Sequence, residues 1–231
     1  MRVLLFGATG MVGQGVLREC LRAADVELVQ TIGRTATGQQ HPKLREMVRP
    51  SLVDFSEVES QLQNFDTCFF CLGISSAGLS EAEYTRVTHD LTLAAAGALA
   101  RLNPQMIFVY VSGAGTDSTG KGRSMWARVK GRTENALRAL PFKAVYLFRP
   151  GVIQPLDGIH SKTGSYRVFA ALFRPFFPML RALFPLQILS TRSIAQAMLA
   201  VARNGATQTV LEARDIGAIA STATNGTAAR S

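Results

Sequence analysis

Val3-Leu4-Leu5-Phe6-Gly7-Ala8-Thr9-Gly10-Met11-Val12-Gly13 opens the chain with an apolar run that passes through three spaced glycines into helix-forming sequence. The apolar residues fit a strand buried on both faces of a parallel sheet, and behind the loop Val12, Val16, Leu17, Cys20 and Leu21 recur at helical spacing. A strand, a glycine loop and a helix in that order predict a dinucleotide cradle. The first glycine permits a tight turn, the second lets backbone N–H groups approach a pyrophosphate, and the third lets helix and strand pack closely. Phosphates would then meet the positive helix N-terminus. Gly7, Thr9, Gly10, Met11, Val12 and Gly13 are the cradle residues so selected.

Outward from this unit, strand and helix signals alternate. Val26 to Ile32, Asp66 to Leu72, Met106 to Ser112, Ala144 to Phe148 and Thr209 to Leu211 read as strands. Val53-Asp54-Phe55 reads as the end of another, short one. A helix is predicted from Ser80, where Ser80 and Glu83 make a capping box, to about Leu102 before Pro104. Others run from Ser124 to about Leu140 and from Ser193 to Arg203. Such alternation gives an α/β fold, a doubly wound parallel sheet of Rossmann type with a small helical C-terminal subregion.

At 231 residues the chain has room for one substantial core and is short for two independent domains. Residues 1–217 therefore read as one nucleotide-binding domain, with 152–190 as a substrate or lid subregion and 218–231 as a disordered tail of small and polar residues. The net charge of +9 comes from arginines scattered along the chain, neither gathered in a tail nor interleaved with aromatics, so nucleic acid is not an expected partner. A polyphosphate cofactor or an anionic membrane suits such a surface. Cys20, Cys68 and Cys71 fall in predicted helix and strand, which predicts free thiols in a reducing, cytoplasmic setting. Cys68 and Cys71, three apart on a strand, point to opposite faces and make neither a dithiol nor a metal clamp. His41, His89 and His160 lack metal-ligand spacing, and no metal is expected. The first strand begins at once, leaving no room for a signal or transit peptide.

In a doubly wound sheet, ligands bind beyond the carboxyl ends of the strands. Arg34 and Thr35 follow the second strand, where an NAD enzyme would carry a carboxylate for the ribose 2′-hydroxyl; arginine there favours a 2′-phosphate and hence NADP(H), with NAD(H) as the alternative. Asp54 is placed to accept from the adenine amino group. Leu72 and Gly73 end a central strand, the glycine permitting close backbone approach to the cofactor ribose. Ser112 puts a hydroxyl at the rim, and Trp126 and Lys130 lie one helical turn apart on one face.

Taken with Lys130-Gly131-x-x-Glu134 and Arg149-Pro150-Gly151-Val152, these motifs occur in an order that resembles the atypical short-chain dehydrogenases/reductases, and within them the group of the Tat-interacting oxidoreductase and the bacterial NAD(P)H-binding epimerase-like proteins. The similarity covers about residues 1 to 155. It implies NADP across the strand ends, Ser112 near the substrate carbonyl, Lys130 on the nicotinamide ribose, and Pro150, Gly151 and Val152 beside the nicotinamide. One departure stands out: the residue four before the lysine is a tyrosine in that family and Trp126 here. An indole N–H donates a hydrogen bond and is no acid at neutral pH. Tyr110 and Tyr166 are candidate substitutes, each also readable as a packing residue.

Two functions follow. One is an NADP-dependent oxidoreductase or epimerase of a small carbonyl or sugar-like substrate. The other is a non-catalytic NADP-binding scaffold or redox-sensing regulator, which loss of the tyrosine favours. Between residues 166 and 189, Arg167, Arg174 and Arg181 recur every seven residues among phenylalanines, and Pro175, Pro178 and Pro185 argue against a membrane span. That segment reads as a lid over the substrate, or as a surface for anionic lipid at the membrane periphery or for a second copy in a homodimer.

Overall fold

The computed structural model describes residues 1–156 and 188–228, with 225–228 as backbone alone. Along it run β1 (Arg2–Phe6), α1 (Met11–Arg22), β2 (Leu28–Gly33), β3 (Leu44–Val48), β4 (Thr67–Phe70), α2 (Glu81–Thr85), α3 (Leu91–Leu102) and β5 (Ile107–Val111). There follow α4 (Met125–Arg138), β6 (Ala144–Arg149), β7 (Val152–Gln154), β8 (Ile188–Ser190), α5 (Thr191–Asn204), β9 (Val210–Glu212) and α6 (Ala213–Ala228). Seven described strands form one parallel sheet in the order β3-β2-β1-β4-β5-β6-β9, the doubly wound arrangement the alternation predicts. The chain starts in the middle, winds out to β3, then crosses back to β4. That reversal opens a crevice at the strand ends beside β1. β7 and β8 pair in parallel as a separate two-stranded sheet.

Alternation of side chains along β1 divides the core in two. Val3 and Leu5 face a cluster built with Val16, Leu17 and Cys20 of α1 and with Ile194, Met198 and Val201 of α5. Leu4 and Phe6 face the other, with Phe70, Phe108, Ala95 and Leu99. Stacked rings bind the strands on that side, Phe6 to Phe70 at 4.9 Å and Phe70 to Phe108 at 5.8 Å between centroids. Cys68 and Cys71 do lie on opposite sides, Cys68 in the second cluster and Cys71 against the first. Burial pushes both thiols up, so they stay protonated. Gly15 lets α5 seat on α1, because a Cβ there would come within 2.8 Å of the Thr191 carbonyl oxygen.

Three expectations need correcting. The strand before β4 is Leu44–Val48, and Val53, Asp54 and Phe55 lie in the loop after it. β3 is a sheet edge whose charged, half-exposed residues hide its period, and Leu52 and Phe55 are buried as loop residues packed on the core. The segment expected as a tail from 218 continues α6 to Ala228, because Ile216 and Ala220, four apart, are buried in the cluster containing α5. The long helix predicted from Ser80 has its capping box but is interrupted by a π-helical turn, Arg86–Asp90. Tyr166 and the segment 166–187 lie outside the described residues.

Candidate functional site

The glycine loop is shaped by contacts that no other residue could accept. Gly7 has φ +77°, and a Cβ on it would stand 2.6 Å from the Leu72 backbone nitrogen. A Cβ on Gly13 would meet the Gly7 carbonyl oxygen at 2.0 Å. Gly10 donates its N–H to that same oxygen at 2.9 Å and caps α1 without any side-chain cap. The first-turn N–H groups at Met11, Val12 and Gly13 therefore lack helical acceptors, and no acidic residue stands among them. Gln14 Nε2 donates to the Thr9 carbonyl at 3.1 Å, bracing the loop from inside.

At the adjoining strand ends, Arg34 and Thr35 are exposed, and Arg34 makes no hydrogen bond or ion pair among the described residues. The Gly33 carbonyl accepts from the Arg49 N–H at 2.9 Å, extending the β2–β3 ladder one step past β3. Asp54 is exposed and its Oδ1 accepts from the Ser56 N–H at 2.9 Å, which holds its carboxyl below the usual range. Gly73 sits open at the end of β4, where a Cβ would find nothing within 4 Å among the described residues.

Across the crevice, β5 delivers Ser112. Its backbone N–H donates to the Phe148 carbonyl at 2.7 Å, and Ala114 N–H donates to Pro150 at 3.0 Å, so the loops after β5 and β6 are joined and Ser112, Pro150 and Gly151 share one rim. Val152 is exposed beside them. The Ser112 hydroxyl is buried and lies 2.9 Å from Thr116 Oγ1. Since the Thr116 hydroxyl donates to the Gly113 carbonyl at 2.8 Å, its one hydrogen is committed and Ser112 is the donor of the pair. In this arrangement the Ser112 lone pairs are left to accept, and turning both hydroxyls together reverses the pair. Thr116 is a site residue that the strand-end motifs do not reveal; its signal is a hydroxyl four residues after Ser112.

Trp126 covers the turn that follows Ser112. A Cβ on Gly115, whose φ is +83°, would lie 3.6 Å from the indole Cη2, and one on Gly113 3.9 Å from Cζ3. Lys130, one turn on, holds its Nζ 5.4 Å from the centroid of the Tyr110 ring. Burial lowers the Lys130 ammonium to about 8, against the opposing pull of Glu134. Tyr110 is almost fully buried and desolvation drives its phenol up, so it holds its proton and serves as a platform. Glu134 is 1% exposed and is gripped by Arg149 through Nε and Nη2, while Arg149 also reaches Glu212 at 3.1 Å and Ser118 at 2.7 Å. α4 can lie this close to the rim because of Gly131, where a Cβ would overlap the Asp117 carbonyl. Among the described residues no group of acidic, cysteine and histidine side chains is placed to hold a metal, and no helix is long and apolar enough to cross a membrane.

A doubly wound parallel sheet with a glycine loop after β1 is a Rossmann-type fold, with Ser112 and Lys130 across the crevice from the loop. Solved structures agree. The Bordetella bronchiseptica enzyme WbmF in complex with NAD+ superimposes with a TM-score of 0.64 at 18% identity, covering 98% of this chain and 78% of that one. A Burkholderia thailandensis oxidoreductase of the short chain dehydrogenase/reductase family gives 0.64 at 16%, covering 93% and 91%. In sequence, the chain is 29% identical over 178 residues to Protein HTATIP2 of Rattus norvegicus, covering 76% of this chain and 69% of that protein. It is 32% identical over 158 residues to the mitochondrial protein fmp52 of Emericella nidulans, 65% of this chain and 66% of that protein, just under two thirds of its length. No family model matches the chain. The chain thus resembles HTATIP2 and fmp52 in sequence, and NAD-bound and short chain dehydrogenase/reductase structures in fold.

Proposed function

We propose that the chain is an NADP(H)-dependent oxidoreductase or epimerase of a small carbonyl or sugar-like substrate. The observation that carries the reading is the pairing of an uncapped, acid-free α1 N-terminus behind Gly7, Gly10 and Gly13 with Ser112 and Lys130 on the facing rim. The residues fit a dinucleotide. The loop N–H groups suit its phosphates, Arg34 and Thr35 a 2′-phosphate, Asp54 the adenine, and Leu72, Gly73, Lys130, Pro150, Gly151 and Val152 the ribose and nicotinamide end. A bound nicotinamide would supply hydride transfer. Among the structural neighbours, WbmF is solved with NAD+ and MoeE5 with UDP-glucose and NAD, which supports a nicotinamide dinucleotide in the crevice. A cytoplasmic setting remains part of the proposal, while the fungal relatives carry "mitochondrial" in their names.

Ser112 and Thr116 orient the substrate oxygen. With its proton given to Thr116, Ser112 accepts from a substrate hydroxyl; turning both hydroxyls lets Thr116 donate to Ser112 and Ser112 to a carbonyl. Trp126 can donate a hydrogen bond to a bound oxygen but cannot release the proton. Lys130, at about 8, is the nearby group able to give one up and take it back near neutrality. Trp126 also favours the second reading, a non-catalytic NADP-binding scaffold. The two separate in one experiment. Fluorescence titration with NADPH should show saturable binding, and a carbonyl panel should then oxidise NADPH, followed by its absorbance. Binding without turnover on any substrate points to the scaffold, and absence of binding rejects both.

A further inference from the structure

We infer that Arg49, at the end of β3, is the second cation of the seat for the adenosine 2′-phosphate, facing it beside Arg34, and that Glu57 occupies Arg49 until the nucleotide arrives. The inference rests on the NADP(H) reading above. It adds a residue that no strand-end spacing singles out, because Arg34 alone follows from counting past the glycine loop.

The placement comes from register. Gly33 and Val48 are paired across β2 and β3, and the next residues on the two strands are Arg34 and Arg49. Neighbouring strands lie about 4.8 Å apart, so the two arginines leave the sheet side by side at the rim where the adenosine half of a dinucleotide lies. The backbone bond from Arg49 N–H to the Gly33 carbonyl fixes that proximity.

The guanidinium of Arg49 is poorly satisfied for so buried a cation. Its side chain is 18% exposed, its Nε is buried with no hydrogen-bond partner among the described residues, and Nη2 reaches the Asp54 carbonyl only at 3.4 Å. It is ion-paired at 3.5 Å with Glu57, whose own side chain is 80% exposed, and its charge also draws on the Asp54 carboxylate. An arginine offers five donors in a planar fork suited to two oxygens of one anion. Glu57 fills that role loosely and at little cost to displace, being held in water by a long contact. A phosphate monoester carries up to two charges and three acceptor oxygens, and is the stronger partner for two adjacent arginines. Through Asp54, Arg49 also touches the loop expected to meet the adenine, so phosphate and base would be sensed by one side chain.

The test measures the affinities of NADPH and NADH for the purified full chain by fluorescence titration, in wild type, Arg49→Ala and Glu57→Gln, with thermal melts as a folding control. Wild type should bind NADPH about tenfold or more tighter than NADH. Arg49→Ala should lose about tenfold for NADPH and stay within about twofold for NADH, the signature of one charge-assisted phosphate contact. Glu57→Gln should bind NADPH about two- to threefold tighter and NADH unchanged, since a competing carboxylate has gone. Equal losses for both nucleotides in Arg49→Ala would reduce Arg49 to a support for the loop and overturn the inference, leaving the NADP(H) reading intact. Should Arg49→Ala fail to fold, Glu57→Gln decides: no NADPH-selective gain overturns it. A wild type that binds NADH as well as NADPH removes the NADP(H) reading and the inference with it.

Discussion

At the β1–α1 end of the crevice the shape is set by what glycine lacks, whereas at the β5–α4 end it is set by side chains that hold one another. Gly7 and Gly13 bring two backbones together closer than a Cβ allows. On the other side Ser112 is hydrogen-bonded to Thr116 within one loop, Glu134 of α4 is ion-paired with Arg149 of β6, and Lys130 of α4 lies over the Tyr110 ring of β5. A steric site tolerates no substitution but does little chemistry. A polar network can retune its protons by changing one member.

The comparison is most severely tested at Glu134. It is buried against Arg149, and removing one partner of such a pair strands the other charge, which costs about 3–5 kcal/mol. Glu134→Ala should lose that much in urea denaturation, with α4 and Lys130 loosened from the rim. A loss under about 1 kcal/mol would show that Glu212 and Ser118 alone satisfy Arg149, and the network would not be the frame of this half.

Next in size is the glycine half. Gly13→Ala places a methyl 2.0 Å from a carbonyl oxygen and should cost about 2–3 kcal/mol with loss of nucleotide binding. Gly73→Ala meets nothing within 4 Å and should change stability by less than about 0.5 kcal/mol. Any drop in its affinity for NADPH would then report a cofactor lying against Gly73. Equal destabilisation by the two substitutions would erase the distinction between a packing glycine and an approach glycine.

How far each half can be read from sequence follows the same division. Glycine spacing after an apolar strand is a local signal with one steric meaning, and the strands β4, β5 and β6 are buried runs that stand out as such. β3 does not, because an edge strand exposes Arg45, Glu46 and Val48 and buries Met47 alone. α6 is composed of small residues that resemble a tail until Ile216 and Ala220 find α5. Thr116 and Arg49 gain their meaning from a loop and a strand register, neither of which leaves a periodic trace. Lys130 and Trp126 are visible through helical spacing and family resemblance; their setting, over Tyr110 and over Gly115, is not.

A smaller effect is expected at Trp126, where the two functional readings part. Trp126→Tyr restores a phenol one turn before Lys130, and a positioned acid is worth about 10²–10⁴-fold in rate at full efficiency. The indole packs on Gly113 and Gly115, so a smaller ring sits less firmly and a gain of about tenfold in carbonyl reduction is the realistic expectation. A slower variant, from a wild type already active, would mean that Lys130 and Ser112 carry the proton between them and that the indole is a wall of the pocket.

The smallest expected effect is on stability, at Lys130. Its folded value of about 8 against an ordinary 10.5 means that burial disfavours the ammonium. Below pH 8 the folded and unfolded chains both carry the proton, and the fold bears the full cost of a desolvated charge. Between 8 and 10.5 the folded lysine is neutral while the unfolded one still binds a proton, so stability rises with pH across that window. Lys130→Met keeps the stem and removes the charge, and should stabilise the protein by about 1 kcal/mol at pH 7 once partial solvent contact is allowed for. That advantage should shrink toward zero by pH 10, read from urea midpoints at each pH. In the enzyme reading the same proton is the one transferred, so wild-type carbonyl reduction should fall as pH rises through about 8 while the stability of the fold improves. A Met variant that is less stable at pH 7 would show that the contacts of Lys130 with Tyr110 and Glu134 outweigh its desolvation, and that the lysine belongs to the frame of this half of the site as much as to its chemistry.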